Sequence, residues 1–425
     1  MALLQRCRKL IAVVVRRVAI VIWYRTAARV RNRTVEASFG FARQFRLALE
    51  ELGPTFVKLG QLLSARTDVT PTALQHELAM LRDHAPSIPH ATVVAELERT
   101  LGPSATDLFT TFELAPVACA SIGQVHRATL RDGRRVAVKI RRPGVRAEID
   151  ADLALLRVLL RAAERLSRRA RALRPVTMLD EFAALLRAET DYTTEAGNIE
   201  AVRRTFEHDD LVMIPSVMTD LGSDSLLIMD WIDGIPLNRG AELDAAGTNR
   251  SAVARAIVHA YAAMIFQSDC FHADPHPGNL IARSDERLAL VDFGEVGLIE
   301  PSTRTALVRL LAAVLGRDSD GLADALLAVS RSTRTVDRAE LGAQLASLLR
   351  PVASSSLQEM KIGPMLRDLL HVLRAHGLML PADLAVLIKT MIVCEATTDE
   401  MDPAFQMHSF LTELGTFGLG TTEQK

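Results

Sequence analysis

Lysine is scarce in this chain of 425 residues: only six occur, at positions 9, 58, 139, 361, 389 and 425, among 50 basic residues. Arginine is the default cation, so Lys58 and Lys139, which fall inside patterned segments, stand out. Cysteine is also sparse. Cys7, Cys119, Cys270 and Cys394 lie far apart and form no C-x-x-C pair. That excludes a disulfide framework and a zinc-finger arrangement, and it fits a reducing compartment. No stretch of 18 uncharged apolar residues occurs, so no transmembrane helix is expected. No fixed-period repeat and no low-complexity tract is present. The first 33 residues contain no acid at all.

What is present points to a folded protein. Hydrophobic residues make up 49% of the chain and the formal net charge is −1. The length suffices for a large core in two lobes. No nucleic-acid partner is expected, and no oligomeric state is specified. The acid-free opening holds nine Lys or Arg, and Leu10 to Tyr24 is apolar except for Arg16 and Arg17. It is too short and too charged to span a bilayer, and no small-residue cleavage site follows it. One reading is a basic amphipathic helix lying on an anionic membrane, with Trp23 and Tyr24 at the interface. The other is an ordinary helix docked on the protein. An organellar transit peptide shares the same composition.

The most informative stretch is FHADPHPGNLIARSDERLALVDFGE, residues 271–295. Asp274 is followed five positions on by Asn279, and eighteen positions after Asp274 comes Asp292 in Asp292-Phe293-Gly294. Strand-like runs frame the acids: Asn279 to Ala282 after the loop and Leu288 to Val291 before Asp292. Protein kinases use this spacing. There, one Asp orients the proton of the attacking hydroxyl, an Asn holds a metal ion, and a second Asp holds Mg²⁺ on the phosphates. Oxygen ligands suit Mg²⁺, which keeps octahedral geometry. His272 and His276 lie in a loop with two prolines, which argues against zinc. His272 is expected to organise the loop by hydrogen bonding.

Upstream, Phe41 to Leu52 has helical spacing and Gly53-Pro54 ends it. Thr55 is expected to cap a helix over Phe56 to Arg66. Phe56, Leu59 and Leu63 share one face, while Lys58, Gln61 and Ala65 share another. Helices are also expected from Pro71 to Leu81 and from Ala91 to Leu101. From Phe112 to Ile140 the pattern changes to strands. Val117, Ala118, Cys119, Ala120, Ser121, Ile122, Gly123, Gln124 and Val125 place small residues where a kinase has its phosphate loop. Arg131 to Arg134 reads as a hairpin turn, and Val136-Ala137-Val138-Lys139 as a strand ending in the phosphate-binding lysine. A long Arg-rich helix follows from Arg146 to Leu173, then one helical region from Val176 to Phe206. Within it, Glu189, Asp191 and Glu195 are the candidate acidic partners of Lys139. Val212 to Ile214 and Ser225 to Met229 read as strands. Asp230 and Ile232 belong to a hinge whose backbone reads an adenine edge. Ser251 to Gln267 is an apolar helix leading to His272. Pro301 begins a helix soon after Gly294, leaving almost no activation segment, and residues 303–398 read as helical.

Assembled, these motifs resemble the UbiB family of atypical, protein-kinase-like proteins over residues of about 45 to 400. The markers are Lys58-x-Gly60-Gln61, Ala118-Cys119-Ala120-Ser121, Val-Ala-Val-Lys139, Glu189-x-Asp191 with Glu195, His272-Ala-Asp274 with Asn279, and Asp292-Phe-Gly. The resemblance implies an α+β, protein-kinase-like two-lobed fold with an N-terminal helical extension and a helix-rich C-lobe. Its parts are a basic segment over 1–35, the extension over 36–110, an N-lobe with a helical insertion over 111–232, the C-lobe over 233–405, and a tail over 406–425. It implies ATP or ADP with Mg²⁺ as cofactors, with Asn279 and Asp292 on the metal. Asp274, Lys139, Lys58, Gln61, Glu189 and Asp191 are the implied catalytic set. The implied role is an ATPase or small-molecule kinase serving ubiquinone or related isoprenoid-quinone synthesis. Its implied place is the cytoplasmic membrane face, with lipid or quinone-pathway components as partners. Cys119 stands where the family usually has Ala. Many bacterial members continue past the matching end into membrane-spanning helices, so attachment here is expected through the N-terminal segment or a partner. Two alternatives remain: a phosphotransferase of the aminoglycoside or choline kinase type, and a non-enzymatic lipid-binding chaperone switched by nucleotide.

Overall fold

The computed structural model describes residues 6–13, 15–17, 19–20, 34–65, 70–78, 80–81, 86–168, 171, 174–332, 334–354 and 362–405. Trp23, Tyr24 and the tail over 406–425 lie outside the described residues. The chain divides into two compact units. The first holds residues 1–194 and 218–229; the second holds 195–217 and 230–425. Among the described residues no helix is long and apolar enough to cross a membrane.

The first unit joins helices to an antiparallel sheet. Helices α1 (Thr34–Leu52), α2 (Pro54–Ala65), α3 (Thr72–Leu78) and α4 (His90–Leu101) precede strands β1 (Phe109–Phe112), β2 (Ala118–Cys119), β3 (Gly123–Leu130) and β4 (Arg135–Arg141). Helices α5 (Val145–Leu166) and α6 (Pro175–Glu189) follow; α7 (Tyr192–Thr205) begins in this unit, and from Glu195 onward it belongs to the second. Strand β6 (Leu226–Asp230) completes the sheet in the order β1-β3-β4-β6, with β2 on β3. Alternation along β4 decides what faces where. Val136, Val138 and Ile140 join Val93 and Leu97 of α4 in one core. Lys139, between two of them, therefore projects from the other face of the sheet.

Helix α2 is held from two sides. Phe56 and Leu63 pack with Leu49, Leu52, Leu78 and Leu81, whereas Leu59 and Leu62 pack with the α5 and α6 core of Ile149, Leu153, Phe182 and Leu186. The face expected to be shared by Phe56, Leu59 and Leu63 is thus split between two cores. Gly60 sits where a Cβ would collide with Leu81 and Leu49, so the glycine permits the close approach of α2 to its neighbours.

Two local expectations are corrected and a third is refined. Thr55 does not cap α2: it lies inside the helix and its hydroxyl donates to Asp152 at 2.7 Å. The helix start is served by the Gly53 carbonyl, which accepts from Phe56 and Val57 at 3.0 Å. The Arg-rich helix ends at Leu166, seven residues before the expected limit at Leu173. The helical region over 176–206 breaks at Thr190-Asp191, because Asp191 caps a new helix. Its carboxylate accepts from the Thr193 amide at 3.1 Å and the Thr193 hydroxyl at 2.6 Å.

The N-terminal helical segment, residues 6–20 where described, docks on this unit. Arg6 donates to both carboxylate oxygens of Asp152 at 2.6 Å and to the Leu52 carbonyl at 2.7 Å. Arg17 reaches Glu51 at 3.0 Å, and Val13 is buried among the α1 and α3 leucines.

The second unit is mostly helical around small sheets. Strands β5 (Val212–Met213), β7 (Ile235–Pro236), β9 (Leu280–Ala282) and β10 (Leu288–Leu290) form one sheet in the order β5-β10-β9-β7. Helix α8 (Gly240–Ala245) and the buried helix α9 (Arg250–Gln267) come before β8 (Cys270–His272), which pairs with β11 (Val296–Leu298). Helices α10 (Pro301–Leu315), α11 (Ser319–Val329), α12 (Arg338–Ser354), α13 (Ile362–Ala375) and α14 (Ala382–Met401) complete the unit. A short pair, β12 (Arg331–Ser332) with β13 (Leu378–Met379), interrupts the stretch expected to be wholly helical.

Candidate functional site

In the first unit, the small-residue loop is a tight hairpin. Ala118 pairs with Val125 and Cys119 with Gln124, and the Ala120 amide donates to the Gly123 carbonyl at 2.8 Å. Arg142 fastens the turn. Its backbone amide donates to the Ile122 carbonyl at 2.8 Å, and its side chain donates to the Ala120 carbonyl at 2.9 Å and the Pro86 carbonyl at 2.6 Å. Val117 and Ala118 are exposed, Cys119 and Ala120 half-buried, and Ser121 and Ile122 buried.

Register explains which loop residues face Lys139. Val125 lies opposite Lys139, and Gln124 opposite Ile140. Gln124 therefore turns toward the core, and its side chain is no candidate ligand. Its Oε1 accepts from the Ile88 amide at 2.8 Å, which orients its Nε2 toward His126 Nε2 at 2.6 Å. His126 Nδ1 donates to the Glu113 carbonyl at 2.8 Å, so its Nε2 is the acceptor. Burial pushes the His126 imidazole below its usual range.

Lys139 Nζ lies 5.3 Å from the ring centroid of Tyr192, a cation–π arrangement. Tyr192 also abuts Gly123, where any Cβ would collide with its hydroxyl. Two residues beyond Lys139, Arg141 holds the corner between α6 and α7. It donates to the Thr190 carbonyl, to the Asp224 carbonyl at 2.7 Å and to the Asp224 carboxylate at 3.0 Å. Of the three candidate acids, Glu189 meets Lys58 at 3.0 Å and Asp191 is the helix cap. Glu195, in the first turn of α7, is buried. Gln61 is half-buried one turn after Lys58.

In the second unit, the loop between β8 and β9 is organised by His272, which is fully buried. Its Nε2 approaches the carbonyls of Asp292 at 3.0 Å and Val291 at 3.2 Å, so it carries the proton. Its Nδ1 is then the acceptor for the Tyr261 hydroxyl at 3.3 Å, and Phe293 stands edge-on to its ring at 5.0 Å. Asn279 Nδ2 donates to Asp274 Oδ2 at 3.1 Å and to the Asp274 carbonyl at 3.3 Å. Its Oδ1 is the atom left to ligate a cation. Asp292 is exposed and has φ +64°, a left-handed backbone that a non-glycine residue keeps only when its surroundings impose it. The grip of His272 on its carbonyl, and of Asn198 on the next carbonyl, Phe293, at 3.0 Å, supplies that constraint.

Helix α14 braces the same loop: Thr390 donates to the Ala273 carbonyl at 3.1 Å and Thr397 to the Pro275 carbonyl at 3.2 Å. In the segment expected as a hinge, the Asp230 amide donates to the Ser216 carbonyl at 3.0 Å, and Ile232 is buried. His276 is turned locally, accepting from the Gly278 amide at 3.0 Å. Sequence reasoning missed Tyr192, Arg141, Asp224, Tyr261, Thr390 and Thr397. The adjacency of Tyr192 to Asp191 was the one local signal among them.

Within the second unit, the carboxylates of Asp274 and Asp292 and the amide oxygen of Asn279 are hard oxygen donors of the kind that suits Mg²⁺. The ABC1 atypical kinase-like domain model matches residues 80–326, and the UbiB helical domain model matches residues 345–406. The chain is similar to the probable protein kinase UbiB of Xylella fastidiosa (strain 9a5c), 34% identical over 391 residues, covering 90% of this chain and 70% of that protein. It is similar to the probable protein kinase UbiB of Marinobacter nauticus, 32% identical over 370 residues, covering 86% of this chain and 68% of that protein. Among solved structures it resembles Rv3197 from Mycobacterium tuberculosis, described in complex with erythromycin. The TM-score is 0.59 and the identity 27%, covering 83% of this chain and 90% of that one.

Proposed function

The chain belongs to the UbiB family of ABC1 atypical kinase-like proteins, and from that premise we propose that it binds ATP or ADP with Mg²⁺ and acts as an ATPase or small-molecule kinase supporting isoprenoid-quinone synthesis, ubiquinone in the first place. The observation that carries this reading is the Asp274–Asn279 contact at 3.1 Å. One side-chain hydrogen bond fixes both groups, leaving Asp274 Oδ1 to accept a proton from the attacking water or alcohol. The same bond aims Asn279 Oδ1 outward as a metal ligand, with Asp292 as the second. Bound Mg²⁺ supplies neutralisation of phosphate charge. Lys139 adds a positive charge for the phosphates, and the backbone of residues 117–125 provides a close-approaching turn. The Ile232 amide, which meets no protein acceptor among the described residues, serves an adenine edge.

Purified protein is tested for steady Mg²⁺-dependent ATP turnover and for a nucleotide-induced rise in Tm. Asp274→Asn is expected to abolish turnover and keep the Tm rise, and Lys139→Ala to diminish the rise. Undiminished turnover in Asp274→Asn overturns the reading. A Tm rise without any turnover in the unaltered protein assigns it to the nucleotide-switched chaperone instead.

A further inference from the structure

Helix α5 uses its arginines differently in its two halves. Toward its start, and on the adjacent face of α6, cations are matched with acids: Arg146 meets Asp224 at 3.2 Å, Arg187 meets Asp150 at 3.1 Å, and Arg157 meets Asp180. Beyond Arg157 the pattern stops. Arg161, Arg165 and Arg168 are exposed and meet no acid among the described residues. The acid in their midst, Glu164, is engaged by the Val176 amide at 3.3 Å.

At about 100° per residue, Arg157, Arg161 and Arg165 form one row along the helix. Beside it runs a second row, Val158, Leu159, Ala162 and Leu166. Val158, Leu159 and Leu166 are 64%, 57% and 88% exposed. This is not the core stripe of the helix, which is Ile149, Leu153, Leu156 and Leu160 and is packed against α6. The helix therefore carries two apolar stripes, only one of which is covered among the described residues.

The N-terminal helical segment repeats the chemistry next to it. It packs Leu10 and Val13 into the cluster that contains Leu156 of α5. Ile11 and Val15, four residues apart, remain 63% and 62% exposed, with Arg8 and Lys9 exposed beside them. Two helices from separate parts of the sequence, joined by the Arg6–Asp152 pair, thus present exposed aliphatic side chains flanked by cations.

We propose that the C-terminal half of α5, together with the adjoining N-terminal segment, is a docking surface for an anionic lipid bilayer. Leu159 and Leu166 enter the boundary between headgroups and acyl chains, and Arg161 and Arg165, the unmatched members of the arginine row, meet lipid phosphates while their aliphatic stems lie along the apolar stripe. Charge complementarity selects the occupant: unmatched guanidinium groups beside apolar residues suit a surface that is anionic at one depth and hydrocarbon at the next. An acidic protein partner would satisfy the arginines alone.

The test is co-sedimentation of the full chain, without nucleotide, with phosphatidylcholine vesicles carrying or lacking phosphatidylglycerol. Because nucleotide is absent, failure of the phosphoryl-transfer reading leaves this result interpretable. Binding is expected only to the anionic vesicles and is expected to weaken with added salt. Arg161→Glu/Arg165→Glu/Arg168→Glu and, separately, Leu159→Ser/Leu166→Ser are expected to lower partitioning at least tenfold. Their melting temperatures should stay unchanged, since these side chains are exposed. Ile11→Ser/Val15→Ser should lower partitioning by a smaller factor. Absence of vesicle binding by the unaltered chain, or vesicle binding by both α5 variants at its level, overturns the proposal. Loss with the charge variant but not with Leu159→Ser/Leu166→Ser overturns bilayer insertion in favour of an acidic partner.

Discussion

Lys58 and Glu189 meet at 3.0 Å although 131 residues separate them in the chain. The pair ties α2 to the last turn of α6, where a carboxylate opposes the helix dipole and a cation offsets it. Both side chains are sheltered, 25% and 20% exposed. Lys58→Met and Glu189→Gln are each expected to lower unfolding stability by about 1–2 kcal/mol. The double variant should lose less than the sum, with a coupling of about 1 kcal/mol. Urea unfolding of the four proteins measures it, and strict additivity would show that the contact contributes nothing.

Two glycines should be intolerant of a single methyl group. At Gly60 a Cβ meets Leu81 and Leu49, and at Gly297 it meets the ring of Phe271. Gly60→Ala and Gly297→Ala are each expected to cost about 1–3 kcal/mol through overpacking. Combining Gly60→Ala with Leu81→Ala should cost less than the two changes added together, because the second removes the atoms that the first strikes. Full additivity in thermal or urea unfolding would contradict the packing account.

Acid should loosen the hairpin through His126. Its Nδ1 is committed as donor to Glu113 and its Nε2 as acceptor from Gln124, which Ile88 prevents from flipping. Burial holds its folded-state pKa below the ordinary value of 6.5. The unfolded state therefore binds the proton first as pH falls. The contribution of this residue is complete above the ordinary value and is lost as pH drops from it toward the lowered one. The slope cannot exceed about 1.4 kcal/mol per pH unit for one proton. Stability measured between pH 7.5 and 5 should fall less steeply in His126→Gln than in the unaltered protein; equal slopes would clear His126 of the role.

Local chemistry was legible in the sequence where a residue's neighbours decide its fate. The run Val136 to Lys139 read as a strand carrying the lysine, and β4 is that strand, continued to Arg141. The spacing of Asp274 and Asn279 anticipated two side chains that do touch, and His272 acts as the organiser expected of it. What escaped detection depends on partners distant in sequence. Gln124 looked like part of a ligand loop, but register with Ile140 turns it inward. Asp191 looked like one of three equivalent acids, yet the chain breaks there and the carboxylate is spent as a cap. Thr390 and Thr397 brace the catalytic-type loop from more than 100 residues away, and nothing in their own segment marks them. The N-terminal segment admitted both a docked and a membrane-facing reading from its pattern. Packing of Val13 and the Arg6–Asp152 pair supply the docked contacts.

Trans-phosphorylation of proteins is not expected, even though the curated relatives are named as probable protein kinases. A peptide substrate needs an extended segment after Asp292-Phe293-Gly294 on which to lie. Here the short connection from Gly294 to Pro301 is already occupied. Val296 to Leu298 form β11, paired residue for residue with His272 to Cys270. Gly297 lies so close under Phe271 that no side chain fits, and the Ile299 amide donates to the Asp269 carbonyl at 2.9 Å. The Glu295 carbonyl accepts from the Ala273 amide at 3.0 Å, next to Asp274. Swinging this segment out to receive a peptide would break a strand pair and unseat the loop that carries Asp274, so the act of docking would dismantle the chemistry. A water molecule or a small alcohol needs no such movement. Incubation with labelled ATP and a mixed peptide library should therefore give ATP hydrolysis, or label on a small acceptor, with no peptide labelling above the Asp274→Asn control. Robust, Asp274-dependent labelling of many peptides would sink this prediction and require β11 to detach during turnover.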